Sequence, residues 1–391
     1  MGHSTMMMNR SSELMFTNAM IVLADRVFDN GWVAVSRGRI AEIGVGTPPE
    51  RGIDFGGDLL LPGLVELHTD HLETHYLPRP DVRWDPLAAV VSYDAQIATS
   101  GITTVLDSVR VWRDDEDHEI AGQSDILSAA IALARDTGLL RAEHFLHLRC
   151  EVPMPWVVED TEKLAQRSDV RLLSLMDHTP GQRQFRDPER LRTYYRGRQA
   201  GLTDAELEQM FEHRIAYQVA YAENNRRQLI EMAQRRTIPV ASHDDTLMIH
   251  VEEAIRDAVV VAEFPTTMEA AAALHAAGIK VLMGAPNFVR GGSHSGNIAT
   301  ADLAAAGLLD VLSSDYVPAS LLVAALRLPA SSDCLDLAAA VRTVTKTPAE
   351  AVGLTDRGEI AVGKRADLVR VYNKAAVPVA RAVWRAGERI A

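Results

Sequence analysis

The chain has 391 residues, of which 47% are hydrophobic and 24% are charged, and its formal net charge is −13. The length allows one large catalytic barrel with a small additional domain, and the composition is that of a globular protein. The acidic balance argues against binding to nucleic acids or anionic membranes, and no run approaches the roughly 20 apolar residues of a membrane span.

Cysteine content and the first residues bear on location. Only Cys150 and Cys334 are present, too few for a disulfide framework, which favours a reducing cytoplasm. Residues 1–12 lack the apolar segment and the cleavage site of a signal peptide. We therefore predict a cytoplasmic protein with neither membrane nor nucleic-acid partners.

Both ends of the sequence have the pattern of short β-strands. Residues 14–60 alternate apolar and polar positions, with turns marked by Gly31 and Gly44, and residues 358–391 repeat the pattern. Isolated hairpins are only marginally stable, so we expect the two ends to pack together. The sequence predicts a small β-sandwich domain formed by residues 14–60 and 356–391.

The segment between these ends, residues 61–355, alternates strand-like apolar runs with helical runs rich in alanine and leucine. Continuous apolar runs are typical of parallel strands buried on both faces. Eight alternations predict an α/β fold, a (β/α)8 TIM-like barrel. Residues 183–236 are polar, rich in arginine and without a strand pattern, and we interpret them as a helical insertion over the barrel mouth. The predicted strands are residues 60–68, 102–108, 143–152, 171–178, 238–244, 259–265, 280–286 and 310–315.

Histidines and acidic residues recur at the C-terminal ends of five predicted strands, where barrel enzymes carry their catalytic groups. Nitrogen and oxygen donors suit Zn²⁺, Mn²⁺ or Fe²⁺. We therefore predict one or two divalent metal ions, with Zn²⁺ as the first choice. The groups at these ends are His68, Thr69, Asp70 and His71; His147, Arg149 and Glu151; Asp177 and His178; His243, Asp244 and Asp245; and Ser314 and Asp315.

The first of these strand ends carries two groups that can reach one metal ion. His68 and Asp70 are two residues apart and point to the same side of a strand, whereas His71 points elsewhere unless the strand has already ended. A single histidine is more often structural than a ligand, but recurrence at five strand ends favours a metal site. The histidines away from strand ends, which we interpret as solvent-facing or structural, are His118, His213 and His275.

Several strings in the sequence resemble the amidohydrolase superfamily: PGLVELHTD, SSDYVPASLL and GEIAVGKRADLVRVY. That superfamily combines a (β/α)8 barrel with a β-sandwich built from both chain ends, and it binds one or two metal ions at the barrel mouth. From about residue 15 onward, the chain resembles its PhnM-like branch, the α-D-ribose 1-methylphosphonate 5-triphosphate diphosphatases of the carbon–phosphorus lyase pathway. The strings that carry this finer resemblance are HTDHLETHYLPRP, HFLHLRCEVP, MDHTPGQRQF, ASHDDT, GAPNFVRGGSHSGN and SSDYVPASLL.

The resemblance implies a metal-ligand set with one departure from the superfamily. The usual first-strand motif is His-x-His, whereas this chain has Asp70 at the second position, as the diphosphatase branch does. Glu151 is implied to bridge two metal ions where other branches use a carboxylated lysine, and no lysine lies at these strand ends. The implied metal ligands are His68, Asp70, Glu151, His178, His243 and Asp315.

The resemblance also implies a reaction, the hydrolysis of a phosphorylated ribose to its 5-phosphate and diphosphate. A divalent metal lowers the pKa of bound water from about 15.7 toward roughly 7, and Asp315 is the predicted general base. A triphosphate needs cations and N–H donors, and the glycine-rich loop after the seventh strand suits phosphate. The predicted substrate-binding residues are His71, Arg149, Gln182, Arg183, Arg290, Ser293, His294 and Asn297.

Two alternatives remain open from the residues alone. An amidohydrolase acting on a C–N bond, such as a cyclic amide hydrolase, a deaminase or a deacetylase, would use the same metals and Asp315, but it would need fewer cations than a triphosphate site. A non-catalytic barrel that acts as an assembly partner would have lost metal ligands, and this chain keeps the set. Barrels of this type often self-associate, so a homo-oligomer is expected only by analogy of fold.

Overall fold

A computed structural model of the chain describes residues 13–79, 82–113, 122–185, 189, 191–192, 203–293, 296–332, 334–375 and 377–391. Eight parallel strands follow one another around a barrel in sequence order. They confirm the fold predicted from the eight apolar runs. The barrel strands are Leu64–Thr69 (β6), Ile102–Val111 (β7), Glu143–Glu151 (β8), Val170–Met176 (β9), Val240–His243 (β10), Val261–Glu263 (β11), Lys280–Gly284 (β12) and Val311–Ser313 (β13).

The barrel closes between its first and last strands at the level of the candidate site. A parallel bridge joins Thr69 to Asp315. The backbone N–H of Asp315 donates to the carbonyl oxygen of His68 at 3.1 Å, and the Thr69 hydroxyl donates to the Asp315 carbonyl at 2.7 Å. Below this seam, the buried Glu66 carboxyl accepts N–H groups from His68 at 2.7 Å and from Ser314 at 2.6 Å. The first and last barrel strands, which carry or lead to His68, Asp70 and Asp315, are therefore held together by these hydrogen bonds.

Helices cover the outside of the barrel. The longest, residues Asp204–Arg236, begins with a reciprocal capping box in which the Thr203 side chain accepts the Glu206 N–H and the Glu206 side chain accepts the Thr203 N–H. This helix occupies much of the predicted insertion 183–236. The helices are His71–Tyr76 (α1), Pro86–Thr99 (α2), Gln123–Asp136 (α3), Val157–Leu164 (α4), Asp204–Arg236 (α5), Met248–Arg256 (α6), Met268–Ala276 (α7), Ala285–Arg290 (α8), Thr300–Ala305 (α9), Ser320–Arg327 (α10), Leu337–Arg342 (α11) and Lys346–Ala351 (α12).

Strands from both ends of the sequence form a second, mostly antiparallel sheet. Its strands are Leu14–Val22 (β1), Val27–Ser36 (β2), Arg39–Val45 (β3), Ile53–Asp54 (β4), Leu59–Pro62 (β5), Leu368–Tyr372 (β14), Val379–Arg385 (β15) and Glu388–Arg389 (β16). Their order in the sheet is β16-β15-β14-β5-β1-β2-β3, with β4 paired to β1. The pairing of β14 with β5 joins the two sequence ends, as the sequence predicted; the domain limits 61 and 355 stay a prediction.

The second sheet is curved around its own core. Phe16 lies on β1 and Trp384 on β15, three places apart in the sheet, yet their ring centroids are only 4.7 Å apart. Neighbouring strands are about 4.8 Å apart, so the sheet must bend to bring the rings together. Gly63 connects β5 of this sheet to β6 of the barrel. The position requires glycine, because a Cβ there would lie 2.2 Å from Thr103 Oγ1. The predicted run 60–68 is therefore two strands separated by Gly63.

A buried polar network lies between the barrel wall and α2. His144 lies 2.8 Å from Asp107 Oδ2 through Nδ1 and 3.2 Å from Asp94 Oδ1 through Nε2. The Tyr93 hydroxyl donates to Asp107 at 2.9 Å, and Asp94 also accepts the Arg141 N–H. Burial by itself would lower the pKa of His144, but the two carboxylates outweigh it and raise that pKa to about 9. His144 is therefore a buried cation at neutral pH.

Within the described residues, no helix combines the length and apolar composition needed to cross a membrane. Of the histidines predicted to be structural or solvent-facing, His213 is exposed and His275 lies 2.9 Å from Asp310. His118 lies outside the described residues.

Candidate metal centre

Three histidines at strand ends each have one ring nitrogen held by a carboxylate. His68 Nδ1 lies 2.9 Å from Glu263 Oε1, and His243 Nδ1 lies 2.8 Å from Asp244 Oδ2. His178 Nδ1 lies 2.6 Å from Glu151 Oε2. An ionised carboxylate only accepts hydrogen bonds, so Nδ1 carries the hydrogen in each neutral ring and Nε2 keeps its electron pair. This is the arrangement in which proteins present Nε2 to a metal.

The three rings lie side by side. The centroid of His243 is 5.7 Å from that of His68 and 5.6 Å from that of His178. The ring of Phe264 packs edge-on against His68 and His243, at 4.9 and 5.3 Å, and forms an apolar wall. His243 Nε2 is buried and has no hydrogen-bond partner among the described residues. A buried nitrogen with an unused electron pair is costly, and a metal ion would satisfy it.

A carboxylate deep in the barrel anchors this group from below. Glu263 ends β11, is fully buried, and accepts the Ser174 hydroxyl through Oε2 at 2.5 Å. That same oxygen lies 3.8 Å from His147 Nε2. His147 Nδ1 lies 2.9 Å from the Leu67 carbonyl oxygen, which can only accept, so Nδ1 carries the hydrogen and Nε2 keeps its electron pair. His147 Nε2 is buried and has no hydrogen-bond partner among the described residues.

Left-handed backbone conformations mark three strand ends of the site. The φ angles of Asp244, Phe264 and Asp315 are 55°, 55° and 52°. Such values are uncommon for residues other than glycine and concentrate at functional sites. At each of these residues the chain turns sharply where the strand ends, and this turn directs the residue's side chain toward the histidines.

Asp315 and Asp70 form an acidic pair across the barrel seam. Burial, followed by the charge of Asp70, raises the pKa of Asp315 to about 7. Arg149 Nη1 donates to Asp70 Oδ2 at 3.2 Å, and the Arg149 side chain is buried. Arg149 Nε has no partner among the described residues. Two nearby carboxylates favour the uptake of either a proton or a metal cation.

Glu151 is turned toward His178. Its Oε1 accepts the His178 backbone N–H at 2.6 Å, and its Oε2 faces His178 Nδ1 at the same distance. Burial would raise the pKa of Glu151, but His178 outweighs it and the pKa falls to about 2. Both oxygens thus accept hydrogen bonds from His178, and each keeps a second lone pair. The metal-bridging role of Glu151 stays a prediction.

Arg183 is buried among carboxylates, and its predicted role in substrate binding stays a prediction. It donates to the His243 carbonyl at 3.0 Å, to Asp245 at 2.6 Å and to Glu253 at 3.1 Å. These bonds make it a brace behind His243. Its neighbour Gln182 lines a cavity of about 240 Å³ between the end of β9, α5 and α6, and none of the clustered histidines lines that cavity.

The other predicted substrate-binding residues are spread around the mouth. Arg290 is exposed at the end of α8, and Ser293 and Asn297 are partly exposed in the loop that follows. His294 lies outside the described residues. His71 begins α1, and its Nε2 lies 3.0 Å from Gln96 Oε1. The structure therefore brings His68, Asp70, Arg149, His178, His243 and Asp315 together, and it leaves Arg290 and its loop at the rim.

The donor atoms fit a divalent metal. Two sets of three donors each lie within 4.8 Å of one another: one is His178, His243 and Asp244, and the other is His68, His147 and Glu263. Ligands held at about 2.1 Å by one tetrahedral ion lie roughly 3.4 Å apart. In the first set, Asp244 Oδ2 lies 3.7 Å from His178 Nε2, which is close to that spacing.

The metal-ligand set implied by the resemblance leaves out Glu263, His147 and Asp244. Glu263 could have been found, because it stands at the end of the sixth predicted strand as the other acids stand at theirs. His147 and Asp244 were named among the polar groups at strand ends but not as ligands, and His147 lies four residues inside the third strand. Asp244 adjoins a predicted ligand, but only its backbone conformation reveals that it turns back to the His243 ring.

Comparison with known proteins identifies relatives of this chain. Residues 95–391 match the model of the amidohydrolase family. The chain is 46% identical, over 380 residues, to the alpha-D-ribose 1-methylphosphonate 5-triphosphate diphosphatase of Escherichia coli (strain K12). The alignment covers 96% of this chain and 100% of that protein.

Solved structures share the architecture at low sequence identity. The N-acetyl-D-glucosamine-6-phosphate deacetylase of Mycobacterium smegmatis is 18% identical with a TM-score of 0.63, over 97% of this chain and 100% of that one. A 5-methylcytosine deaminase from Klebsiella pneumoniae is 17% identical with a TM-score of 0.64, over 97% and 98%. At these identities, the likeness concerns the fold alone.

Proposed function

The chain belongs to the amidohydrolase family, and from that membership we propose that it hydrolyses α-D-ribose 1-methylphosphonate 5-triphosphate to the 5-phosphate and diphosphate. The observation that carries the substrate is the 46% identity to a diphosphatase over all of that protein's length. The reaction would serve phosphonate utilisation. We further propose a cytoplasmic location, from the cysteine content, and a small phosphorylated ribose as the binding partner.

The metal ligands we propose are the Nε2 atoms of His68, His178 and His243, with carboxylate oxygens of Asp70 and Asp315. The support is the carboxylate at Nδ1 of each ring, which leaves Nε2 for the metal, and the buried Nε2 of His243, which has no hydrogen-bond partner within the part of the chain that the structure describes. Nitrogen and oxygen donors of this kind suit Zn²⁺, with Mn²⁺ and Fe²⁺ as alternatives. When bound, a divalent metal would polarise phosphoryl oxygens and make a water molecule more acidic.

Asp315 is the proposed general base. In the metal-free chain, desolvation and the charge of Asp70 raise the pKa of its partly exposed side chain to about 7. A bound metal ion would lower that pKa and keep the carboxylate in the ionised form that accepts a proton. The carboxylate would take the proton of the attacking water as that water approaches the phosphorus nearest the ribose. Diphosphate is a good leaving group, so the proposal needs no strong general acid.

Arg149 and Arg290 are the proposed contacts to the triphosphate. Arg149 is buried beside Asp70, and its Nε has no hydrogen-bond partner among the residues described, so its guanidinium can serve both the carboxylate and a phosphoryl oxygen. Arg290 is exposed at the end of α8, next to the loop that carries Ser293 and Asn297. Arg183 is left out of this set because its guanidinium is engaged by Asp245 and Glu253.

The test compares products across two substrate classes. Purified protein loaded with Zn²⁺ or Mn²⁺ is incubated with ribose and nucleoside 5-triphosphates and, separately, with a panel of dihydropyrimidines. We expect diphosphate from the triphosphates and no ring opening of the dihydropyrimidines. Release of ammonia or of an acid without diphosphate would overturn the proposal and favour C–N hydrolysis. Inactivity toward both panels after metal reloading would favour a non-catalytic barrel.

A further inference from the structure

Glu263 stands apart from the other carboxylates of the site because it is buried beneath the histidines and touches three elements of the barrel. Its Oε1 faces His68 Nδ1 at 2.9 Å, and its Oε2 accepts the Ser174 hydroxyl at 2.5 Å. The side chains of Glu263 and His68 are 0% and 1% exposed, so no bulk water competes for these bonds. Both oxygens of the carboxylate are therefore fixed in direction.

This geometry determines which nitrogen of His68 carries the hydrogen. An ionised carboxylate cannot donate, so Nδ1 of a neutral His68 must carry the hydrogen and Nε2 must keep the electron pair. Without that partner, a neutral imidazole could carry its hydrogen on either nitrogen. Metal binding through Nε2 would then require a change of tautomer and orientation.

Position in the barrel argues for the same role. Glu263 pairs in register with His243 on the adjacent strand, and its Oε2 lies 3.8 Å from His147 Nε2. The carboxylate thus adds a fixed negative charge below the rings of His68, His147 and His243. A negative charge behind a coordinating imidazole increases its basicity as a ligand.

We propose that Glu263 is a positioning residue of the metal centre: it holds His68 with Nε2 directed for coordination and thereby sets the affinity for the metal ion, without binding the ion itself. This proposal rests on the proposed function only in taking His68 as a metal ligand. It does not depend on which substrate the protein hydrolyses.

The test is a metal titration of the full-length protein. Protein stripped with a chelator is titrated with Zn²⁺ in competition with a chromophoric chelator, for the wild type and for Glu263→Gln. The variant keeps a hydrogen-bond acceptor but loses the charge, and we expect its Kd for Zn²⁺ to rise about 10- to 100-fold with unchanged stoichiometry. Glu143→Gln is the matched control, because Glu143 begins the third barrel strand and pairs with Arg357 and Arg365 away from the histidines.

A second measurement separates positioning from general support of the fold. The ¹⁵N shifts of the His68 ring in metal-free protein should report hydrogen on Nδ1 in the wild type and a mixture of tautomers in Glu263→Gln. A Kd within about twofold of the wild type, or an unchanged tautomer, overturns the proposal. Loss of one whole equivalent of metal also overturns it, because Glu263 would then be a ligand.

Two further variants keep the test decisive if Glu263→Gln does not fold. Ser174→Ala leaves the charge in place but releases Oε2, and we expect a Kd raised severalfold. Glu263→Asp keeps the carboxylate but on a shorter side chain, which changes its distance to His68. We expect this variant to bind Zn²⁺ more weakly than the wild type does. Wild-type affinity in both variants overturns the proposal. Absence of diphosphate release by the wild type would refute the proposed function but leave these affinities to be judged separately.

Discussion

The backbone N–H of Asp315 donates to the carbonyl oxygen of His68 at 3.1 Å, so the proposed base and the first proposed metal ligand are joined across the barrel seam. Asp315 adopts a left-handed φ of 52° at this point, which turns it out of its strand. The distance between base and metal centre is therefore set by backbone hydrogen bonds rather than by flexible side chains. The hydrogen bonds that close the barrel therefore also fix the positions of the proposed base and the proposed ligand.

The first prediction concerns Asp315. Asp315→Asn should lower kcat by about 10²- to 10⁴-fold, the usual contribution of a general base, while most bound metal is retained through the histidines. Steady-state kinetics and metal analysis of the same sample measure both. Asp302→Asn, an exposed aspartate in α9, is the control and should behave as the wild type. Turnover near the wild-type rate in Asp315→Asn would remove that residue as the base.

The second prediction concerns Arg290. Arg290→Ala should raise KM about tenfold with little change in kcat, because an exposed guanidinium that grips phosphate acts mainly on binding. Its unfolding temperature should stay within about a degree of the wild type, since surface substitutions have small effects on stability. An unchanged KM would show that Arg290 lies outside the substrate path.

A third prediction separates Arg183 from Arg290. Arg183→Ala removes the buried cation that Asp245 and Glu253 share, leaving the Ser242 hydroxyl beside Asp245 and Arg226 beside Glu253. Breaking a buried ion pair in this way costs about 3–5 kcal/mol. We therefore expect a large loss of unfolding free energy in urea, which Arg290→Ala should not share. A stable Arg183→Ala variant with a raised KM would instead return Arg183 to the substrate-binding set.

The fourth prediction is a pH dependence of stability that originates at His144. The pKa of His144 rises from 6.5 to about 9 in the folded chain, so the folded state binds a proton that the unfolded state releases first. The resulting stabilisation is complete below about pH 6.5 and is lost as the pH rises through 9. Its size is on the order of 3 kcal/mol, since one pKa unit corresponds to about 1.4 kcal/mol.

Urea unfolding at pH 6.5 and pH 9.5 measures this effect. The wild type should lose stability over that interval, and His144→Gln should lose much less, because its amide does not titrate. Arg141→Gln changes a partly exposed neighbour of Asp94 and should keep most of the wild-type pH dependence. An equal loss in the wild type and His144→Gln would assign the effect to another group.

The fifth prediction is that metal stabilises the fold. An ion that binds only the folded state adds about 2.7 kcal/mol when its free concentration is 100 times Kd. Removing the metal with a chelator should therefore abolish turnover and lower the unfolding temperature, and Zn²⁺ or Mn²⁺ should restore both. His243→Ala should show no such rise on metal addition. An unfolding temperature of the wild type that ignores chelator would argue against a tightly bound ion.

Hydrophobic runs were sufficient to predict the barrel. Each of the eight apolar runs overlaps a barrel strand, because strands buried on both faces must be apolar along their length. The junction at Gly63 was missed because apolar residues stand on both sides of Pro62-Gly63, although this dipeptide is a turn signal. The two strands are separate because β5 pairs with β1 and β14, whereas β6 pairs with β7.

The site was predicted less completely, for reasons that differ between residues. His68, His178, His243 and Asp315 could be found because polar residues at the ends of apolar strands are conspicuous. The partners that hold their rings come from other strands, and pairings such as His68 with Glu263 depend on barrel geometry that spacing does not encode. Arg183 shows the limit from the other side: its position near a strand end predicted a phosphate contact, whereas the fold places Asp245 and Glu253 beside its guanidinium.

The pairing of β5 with β14 has a consequence for biosynthesis. These two strands flank the entire barrel in the sequence, and β5 leads through Gly63 directly into β6. On the ribosome, the edge of β5 that pairs with β14 therefore stays unpaired until every barrel strand has been translated. Unpaired apolar edges invite aggregation, so nascent chains stalled before Leu368 should be the species that chaperones capture. Only after the barrel has been translated can β14 pair with β5, the strand that leads into the first barrel strand, β6.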